Sequence, residues 1–395
     1  MKLCYNFNMI YREISENLKK ISTRFPVVAV TGPRQSGKTT LIKDLFPDYS
    51  YFNLESPDTL AIAENDPASF IRQNSNRVII DEIQKAGHLL SYIQAVCDER
   101  KEMGNFIISG SENLLLSRKI SQSLAGRAAY ATLYPLDLSE LAGGGVNMDI
   151  MDLIFKGGFP AIYDRDIPPE QYLNQYIATY VERDVRQIMN IANLSAFRRF
   201  LMLAAGRVGQ VINMSSLAND TGVSVPTIEG WISLLEASHL AFRLKPYYNN
   251  FGKRFIKSPK LYFTDTGLAC RLLGITSAED LKRHFLIGGL FENFCIMEVV
   301  KAISAKILTP DIFYYRQNED KEVDLIIGTG GKLIPVEFKS SYTFSSGFAK
   351  GIENWFKLSG TPEEERVGYV VYNGRPAEAG GISYINPDGI KRLLS

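Results

Sequence analysis

Gly32-Pro33-Arg34-Gln35-Ser36-Gly37-Lys38-Thr39 places two glycines around a four-residue spacer, with a lysine and a hydroxyl directly behind. This spacing suits a polyphosphate. Glycines let consecutive backbone N–H groups curl around phosphate oxygens, and a helix starting at Lys38 turns its positive end toward the same anion. Lys38 is expected to reach the outer phosphates and Thr39 to ligate Mg²⁺. Residues Gly32 to Thr40 form the candidate nucleotide-binding stretch.

A second chemical group follows at Asp81-Glu82, directly after the apolar run Val78-Ile79-Ile80. A buried strand delivers carboxylates at its C-terminal edge, where open parallel sheets bind ligands. Asp81 is expected to hold the metal with Thr39, and Glu82 to activate water. Downstream, Ser111 and Asn113 are candidates for sensing the terminal phosphate, alongside the plainer reading of a turn. Arg127, in Leu124-Ala-Gly-Arg127, reads as an arginine finger in cis or on a neighbouring subunit, or as a surface arginine.

Short apolar runs at Val27–Thr31, Tyr51–Leu54, Arg77–Ile80, Asn105–Ile108 and Ala128–Leu133 alternate with helical stretches, which calls for a parallel sheet covered on both faces. Gly143-Gly144-Gly145 reads as a linker. The pattern is then largely helical to about Leu273. It ends in a mixed unit with a long helix at Leu290–Ala305 and apolar runs at 312–315, 323–327, 333–338 and 367–372.

In the middle, Ser216 to Glu236 suits two helices packed across a turn at Gly222, with Ser224 capping the second, as in a winged helix-turn-helix. Between Val211 and Phe242 there is neither Lys nor Arg, so packing is favoured over reading a DNA groove. Arg243 to Lys260 is basic and interleaved with Tyr247, Tyr248, Phe251 and Phe255. That fits a wing on a nucleic-acid backbone, with Lys253, Arg254 and Lys257 as contacts, or a merely solvated hairpin.

In the last unit, Asp324 and Glu337 fall on two runs separated by a Gly328–Gly331 turn, so hairpin pairing brings their carboxylates together. Period two places Lys339 on the Glu337 face. Such a set suits metal-assisted phosphodiester cleavage, with Glu292 on the long helix as a further ligand.

These motifs, together with Asp81-Glu82-Ile83-Gln84, Gly157-Gly158-Phe159-Pro160 and Tyr180-Val-Glu-Arg183-Asp184, resemble a prokaryotic family of AAA-type P-loop ATPases. Its members carry a C-terminal domain of unknown function similar to PD-(D/E)XK nucleases. The resemblance spans nearly the whole chain and implies ATP as the nucleotide. Glu292, Asp324, Glu337 and Lys339 fill the nuclease positions, with Val323 where the motif's name has proline. Nuclease-like shape does not guarantee activity, so an inert domain stays open.

The fold class expected is therefore α/β: a P-loop NTPase domain with a RecA/AAA-like parallel sheet (1–142), a helical and winged helix-turn-helix region (149–275), and a restriction-endonuclease-like α/β domain (285–395). Two functions are consistent with it. One is an ATPase coupled to a domain that binds or cuts DNA or RNA. The other is an ATP switch gating a protein partner, with the nuclease-like domain inert.

Forty-four basic against 43 acidic residues leave no global basic footprint. Cys4, Cys97, Cys270 and Cys295 form no C-x-x-C pair and His88, His239 and His284 are scattered, which disfavours zinc and disulfides and fits a reduced cytoplasmic setting. No apolar run is long enough for a membrane helix, and charges interrupt the N-terminal 21 residues as no signal peptide would allow. A homo-oligomer is compatible with an arginine finger.

Overall fold

The computed structural model describes residues 10–111, 124–184, 193–248, 258–318 and 321–394. β1 (Val27–Thr31), β2 (Ser50–Asn53), β3 (Val78–Asp81), β4 (Phe106–Gly110) and β5 (Ala128–Thr132) form a parallel sheet in the order β2-β3-β4-β1-β5. β1 and β4 are buried along their whole length, which is why they read as unbroken apolar runs. Since β4 lies between β1 and β3, the phosphate loop after β1 and the carboxylates after β3 flank one crevice.

The glycine run is not a free linker. Helix Leu138–Gly143 opens with a capping box of Asp137 and Glu140. It closes with Val146 N–H donating to the Leu141 carbonyl while Gly145 takes φ 81°. The glycines end a helix.

Helices Leu194–Ala205, Met214–Thr221 and Val225–Ala237 come next, then β6 (Ala241–Leu244) paired antiparallel with β7 (Lys260–Phe263). Gly222 ends its helix at φ 73°, and the Ser224 hydroxyl accepts from Thr227 N–H at 3.3 Å. Trp231 packs edge-on against Phe197, ring centroids 5.3 Å apart.

The second sheet runs in the order β12-β13-β11-β10-β9-β8. Its strands are β8 (Ile312–Asn318), β9 (Lys321–Thr329), β10 (Lys332–Lys339), β11 (Tyr369–Tyr372), β12 (Ala377–Ala379) and β13 (Ile382–Ile385). β8, β9 and β10 are antiparallel, whereas β10 and β11 run parallel, joined through helix Lys350–Ser359. The long helix Ile287–Ala305 is buried on nearly every side, and the largest apolar cluster extends from Leu136 to Leu393. The middle region and the second sheet therefore share one core. No described helix is long and apolar enough to cross a membrane.

Candidate nucleotide site

The phosphate loop leaves β1 in a conformation few residues tolerate. Gly32 has φ 146°, and a Cβ there would fall 2.1 Å from the Leu133 carbonyl oxygen. Gly37 (φ 94°) caps helix Lys38–Leu45. Lys38 is 5% exposed, and its ammonium donates to the carbonyls of Gly32 at 3.0 Å and Pro33 at 2.8 Å. Burial lowers its pKa to about 8, against the opposing pull of Glu82 and Asp81.

Across the crevice, Thr39 Oγ1 donates to Asp81 Oδ2 at 2.7 Å. Tyr51 donates to the same oxygen at 2.9 Å, and the Ser109 hydroxyl to the other. A hydroxyl and a carboxylate held side by side at a phosphate loop are hard oxygen donors, and they fit Mg²⁺. Glu82 stands at φ 58°, a left-handed conformation uncommon for its type. Its carboxylate accepts from Gln84 Nε2, and from Ser111 Oγ at 3.3 Å. Burial pushes its pKa up, with Lys38 opposing. The structure thus brings Lys38, Thr39, Asp81, Glu82 and Ser111 together. Asn113 lies outside the described residues.

A cavity of about 470 Å³ opens over this group, within the range of small-molecule sites. Its far wall comes from the middle region, through Pro160, Asp164, Arg165, Tyr172 and Tyr176. Tyr172 donates to Gln35 Oε1 at 2.7 Å, so this wall grips the phosphate loop itself. Beside it lies a smaller cleft, lined by Ile10, Leu41, Leu136 and Pro160 together with Arg12 and Asp164.

Four contributors escaped the sequence reading. Arg12 is 7% exposed. Its guanidinium donates to the Ser36 carbonyl at 2.8 Å, the Tyr134 carbonyl at 2.6 Å and Glu140 Oε2 at 3.0 Å. Nothing local in the sequence marks it. Gln84 and Ser109 sit beside recognised residues, and their polarity next to a buried strand was the available signal. Tyr51 is set by the β2–β3 register, in which Asn53 pairs with Asp81.

Arg127 requires a correction. Its carbonyl accepts from Val27 N–H, at the start of β1, while the phosphate loop follows the end of that strand. The five-residue strand separates the two by about 16 Å. A cis role at this chain's own phosphate site is excluded, and the side chain instead forms an ion pair with Asp98.

The C-terminal candidates converge only in part. Lys339 Nζ lies 2.5 Å from Glu337 Oε2 and 3.5 Å from Asp324 Oδ2, as the hairpin register requires. Burial and the neighbouring Asp324 push the Glu337 pKa well up. Glu292 stays within electrostatic reach of Asp324 but takes its hydrogen bonds from Lys260 Nζ at 3.0 Å and Tyr262 OH at 2.5 Å. Burial raises its pKa to about 7, opposed by Lys260. Among the described residues, no three His, Cys, Asp or Glu side chains are grouped to hold a metal.

The basic hairpin is also less available than its composition implied. Arg243 pairs with Glu236, and Lys260 is 2% exposed. Lys253, Arg254 and Lys257 lie outside the described residues.

Residues 24–142 match the AAA domain family, residues 147–279 a domain of unknown function (DUF8612), and residues 287–385 another (DUF4143). An uncharacterized protein of Mycobacterium tuberculosis is 30% identical over 338 residues, covering 84% of this chain and 74% of the relative. One from Mycobacterium bovis matches to the same extent. An uncharacterized protein of Methanocaldococcus jannaschii is 24% identical over 392 residues, covering 90% and 84%. Among solved structures, a Walker-type ATPase of Pyrococcus abyssi aligns with TM-score 0.47 and 14% identity, covering 68% of this chain and 97% of that one.

Proposed function

This chain belongs to the family of its mycobacterial relatives and carries an AAA domain at residues 24–142; from that premise we propose that it binds ATP, hydrolyses it with Mg²⁺, and passes the nucleotide's presence to its C-terminal sheet. The observation that carries the ATPase reading is the pairing of Lys38 with exchangeable carbonyls, opposite Thr39–Asp81 and Glu82, around one cavity. On binding, Lys38 exchanges the Gly32 and Pro33 carbonyls for phosphate oxygens. Thr39 and Asp81 would hold Mg²⁺, which would supply charge neutralisation at the phosphates. Glu82 orients and deprotonates the attacking water, while Gln84 and Ser111 orient Glu82.

The relay follows from Arg12 and the long helix. Arg12 joins the Ser36 carbonyl to Glu140. The segment between β5 and Glu140 is gripped from the other side, where Glu298 accepts from Leu138 N–H at 2.8 Å and Lys301 donates to the Leu136 carbonyl at 2.9 Å. A shift of the phosphate loop therefore loads the helix that bears Glu292.

The output we favour is nucleotide-gated association with a protein partner. The internal pairing of Arg243 and Lys260 and the absence of Lys and Arg from the second helix of the turn support it. The alternative, an ATPase directed to nucleic acid, draws support from the convergence of Asp324, Glu337 and Lys339. The deciding experiment is Mg²⁺-dependent ATP turnover at low salt with and without DNA and RNA, with Lys38→Ala as the blank. Turnover indifferent to nucleic acid supports the switch, stimulation by either polymer replaces it with the alternative, and no turnover above the blank refutes the ATPase reading.

A further inference from the structure

The resemblance to PD-(D/E)XK nucleases implies a divalent ion among Glu292, Asp324 and Glu337, and the side chains present do not fit one. Lys260 enters this region from β7, outside the second sheet, and is 2% exposed. Its ammonium lies 3.0 Å from Glu292 Oε1 and 2.6 Å from Glu322 Oε1, with the Tyr314 ring centroid at 5.4 Å. Glu292 Oε1 also takes the Tyr262 hydroxyl. Arg316 stands 3.2 Å from the other oxygen of Glu322.

Asp324 and Glu337 face each other and share Lys339. Asp324 Oδ2 accepts from Phe338 N–H at 2.9 Å and faces Lys339 at 3.5 Å. Glu337 Oε2 faces Lys339, and its other oxygen lies against Gly351, where a Cβ would come within 2.1 Å of it. A magnesium-class ion needs a near-octahedral shell of oxygens at about 2.1 Å. Here ammonium groups stand among the acidic oxygens, and the helix carboxylate, although within electrostatic reach of Asp324, takes its hydrogen bonds from Lys260 and Tyr262.

We propose that the Lys260 ammonium is the resident cation of this cluster, and that the C-terminal sheet consequently binds no divalent ion and cleaves no phosphodiester. The lysine fastens the β6–β7 hairpin to the long helix through Glu292 and to β9 through Glu322, so the cluster is a joint between three elements. This assignment is independent of the ATPase reading and survives or fails without it.

The test is Mn²⁺ binding, followed by electron paramagnetic resonance and by thermal melting, on the nucleotide-free full-length chain. Each background is compared with and without Asp324→Asn, so that ions at the phosphate loop cancel. In the wild type, Asp324→Asn should change Mn²⁺ binding not at all. Lys260→Met, which keeps the volume and removes the charge, should gain a Mn²⁺ site at least about tenfold tighter than any in the wild type, lost again with Asp324→Asn, and should be stabilised by Mn²⁺. A wild-type site that disappears with Asp324→Asn overturns the proposal, as does a folded Lys260→Met chain that gains no ion. Should Lys260→Met fail to fold, the wild-type comparison decides alone.

Discussion

Two clusters in this molecule share an inventory of lysine, aspartate and glutamate at the ends of strands, and they stand in opposite conditions. At the phosphate loop, Lys38 is bonded to neutral carbonyls, which cost little to exchange for an anion, and a cavity of about 470 Å³ faces it. At the second sheet, Lys339 and, reaching in from β7, Lys260 are bonded to the carboxylates themselves. A buried charge pair with one member removed loses several kcal/mol, so Lys260, 2% exposed, stays where it is. What makes a charged site receptive is thus the partner its charges hold at rest, rather than the residue types it contains.

The comparison can be broken most forcefully at Lys38. Lys38→Ala is expected to lower kcat/KM for MgATP by about 1,000-fold, while Lys339→Ala leaves ATP turnover unchanged in steady-state assays. The next largest effect is at Arg12. Arg12→Ala leaves Glu140 buried without its cation and should cost about 3 kcal/mol in denaturant unfolding. It should also raise KM for ATP, which an isolated structural pair would not do.

Glu82→Gln separates binding from chemistry. Its kcat is expected to fall about 100-fold with nucleotide affinity retained in equilibrium binding; normal turnover would remove Glu82 from the role of water activator.

The smallest effect is a pH dependence at the junction between the clusters. His239 is 4% exposed, meets Tyr134 edge-on, and leaves Nε2 without a hydrogen-bond partner. Burial lowers its pKa to about 3. The unfolded chain therefore takes up a proton that the folded chain refuses. The stability is whole above about pH 6.5 and declines as pH falls toward 3, by about 2 kcal/mol at pH 5. His239→Asn, which tolerates the φ of 54° at this position, should flatten that part of the melting-temperature profile.

The phosphate site was readable because its chemistry is local. Glycine spacing and a strand ending in Asp81-Glu82 each lie within a few residues, and the Val27–Thr31 strand matched to the residue. The carboxylates of the second sheet were readable only as far as hairpin register carries, which placed Asp324, Glu337 and Lys339 but not Glu292. Its partner Lys260 is 32 positions away and belongs to a stretch that composition alone made look like a nucleic-acid-binding wing or a solvated basic hairpin. Arg12 is 128 positions from Glu140, with no pattern around either to announce the pairing. Strands β12 and β13 were too short to stand out from loop. For Arg127 only the cis reading falls: it directly precedes a strand parallel to β1, which puts it at the sheet edge opposite the phosphate loop.

The reach of Arg12 also bears on how the ATPase part can be separated from the rest. A fragment cut to residues 24–142 would hold the glycine loop, Asp81 and Glu82, yet it would lose the guanidinium beneath Ser36, the tyrosine that meets Gln35, and the grip of Glu298 and Lys301 on the sheet's exit. The unit defined by sequence similarity therefore leaves out contacts that brace its own phosphate loop, which begin before β1 and extend into the long helix.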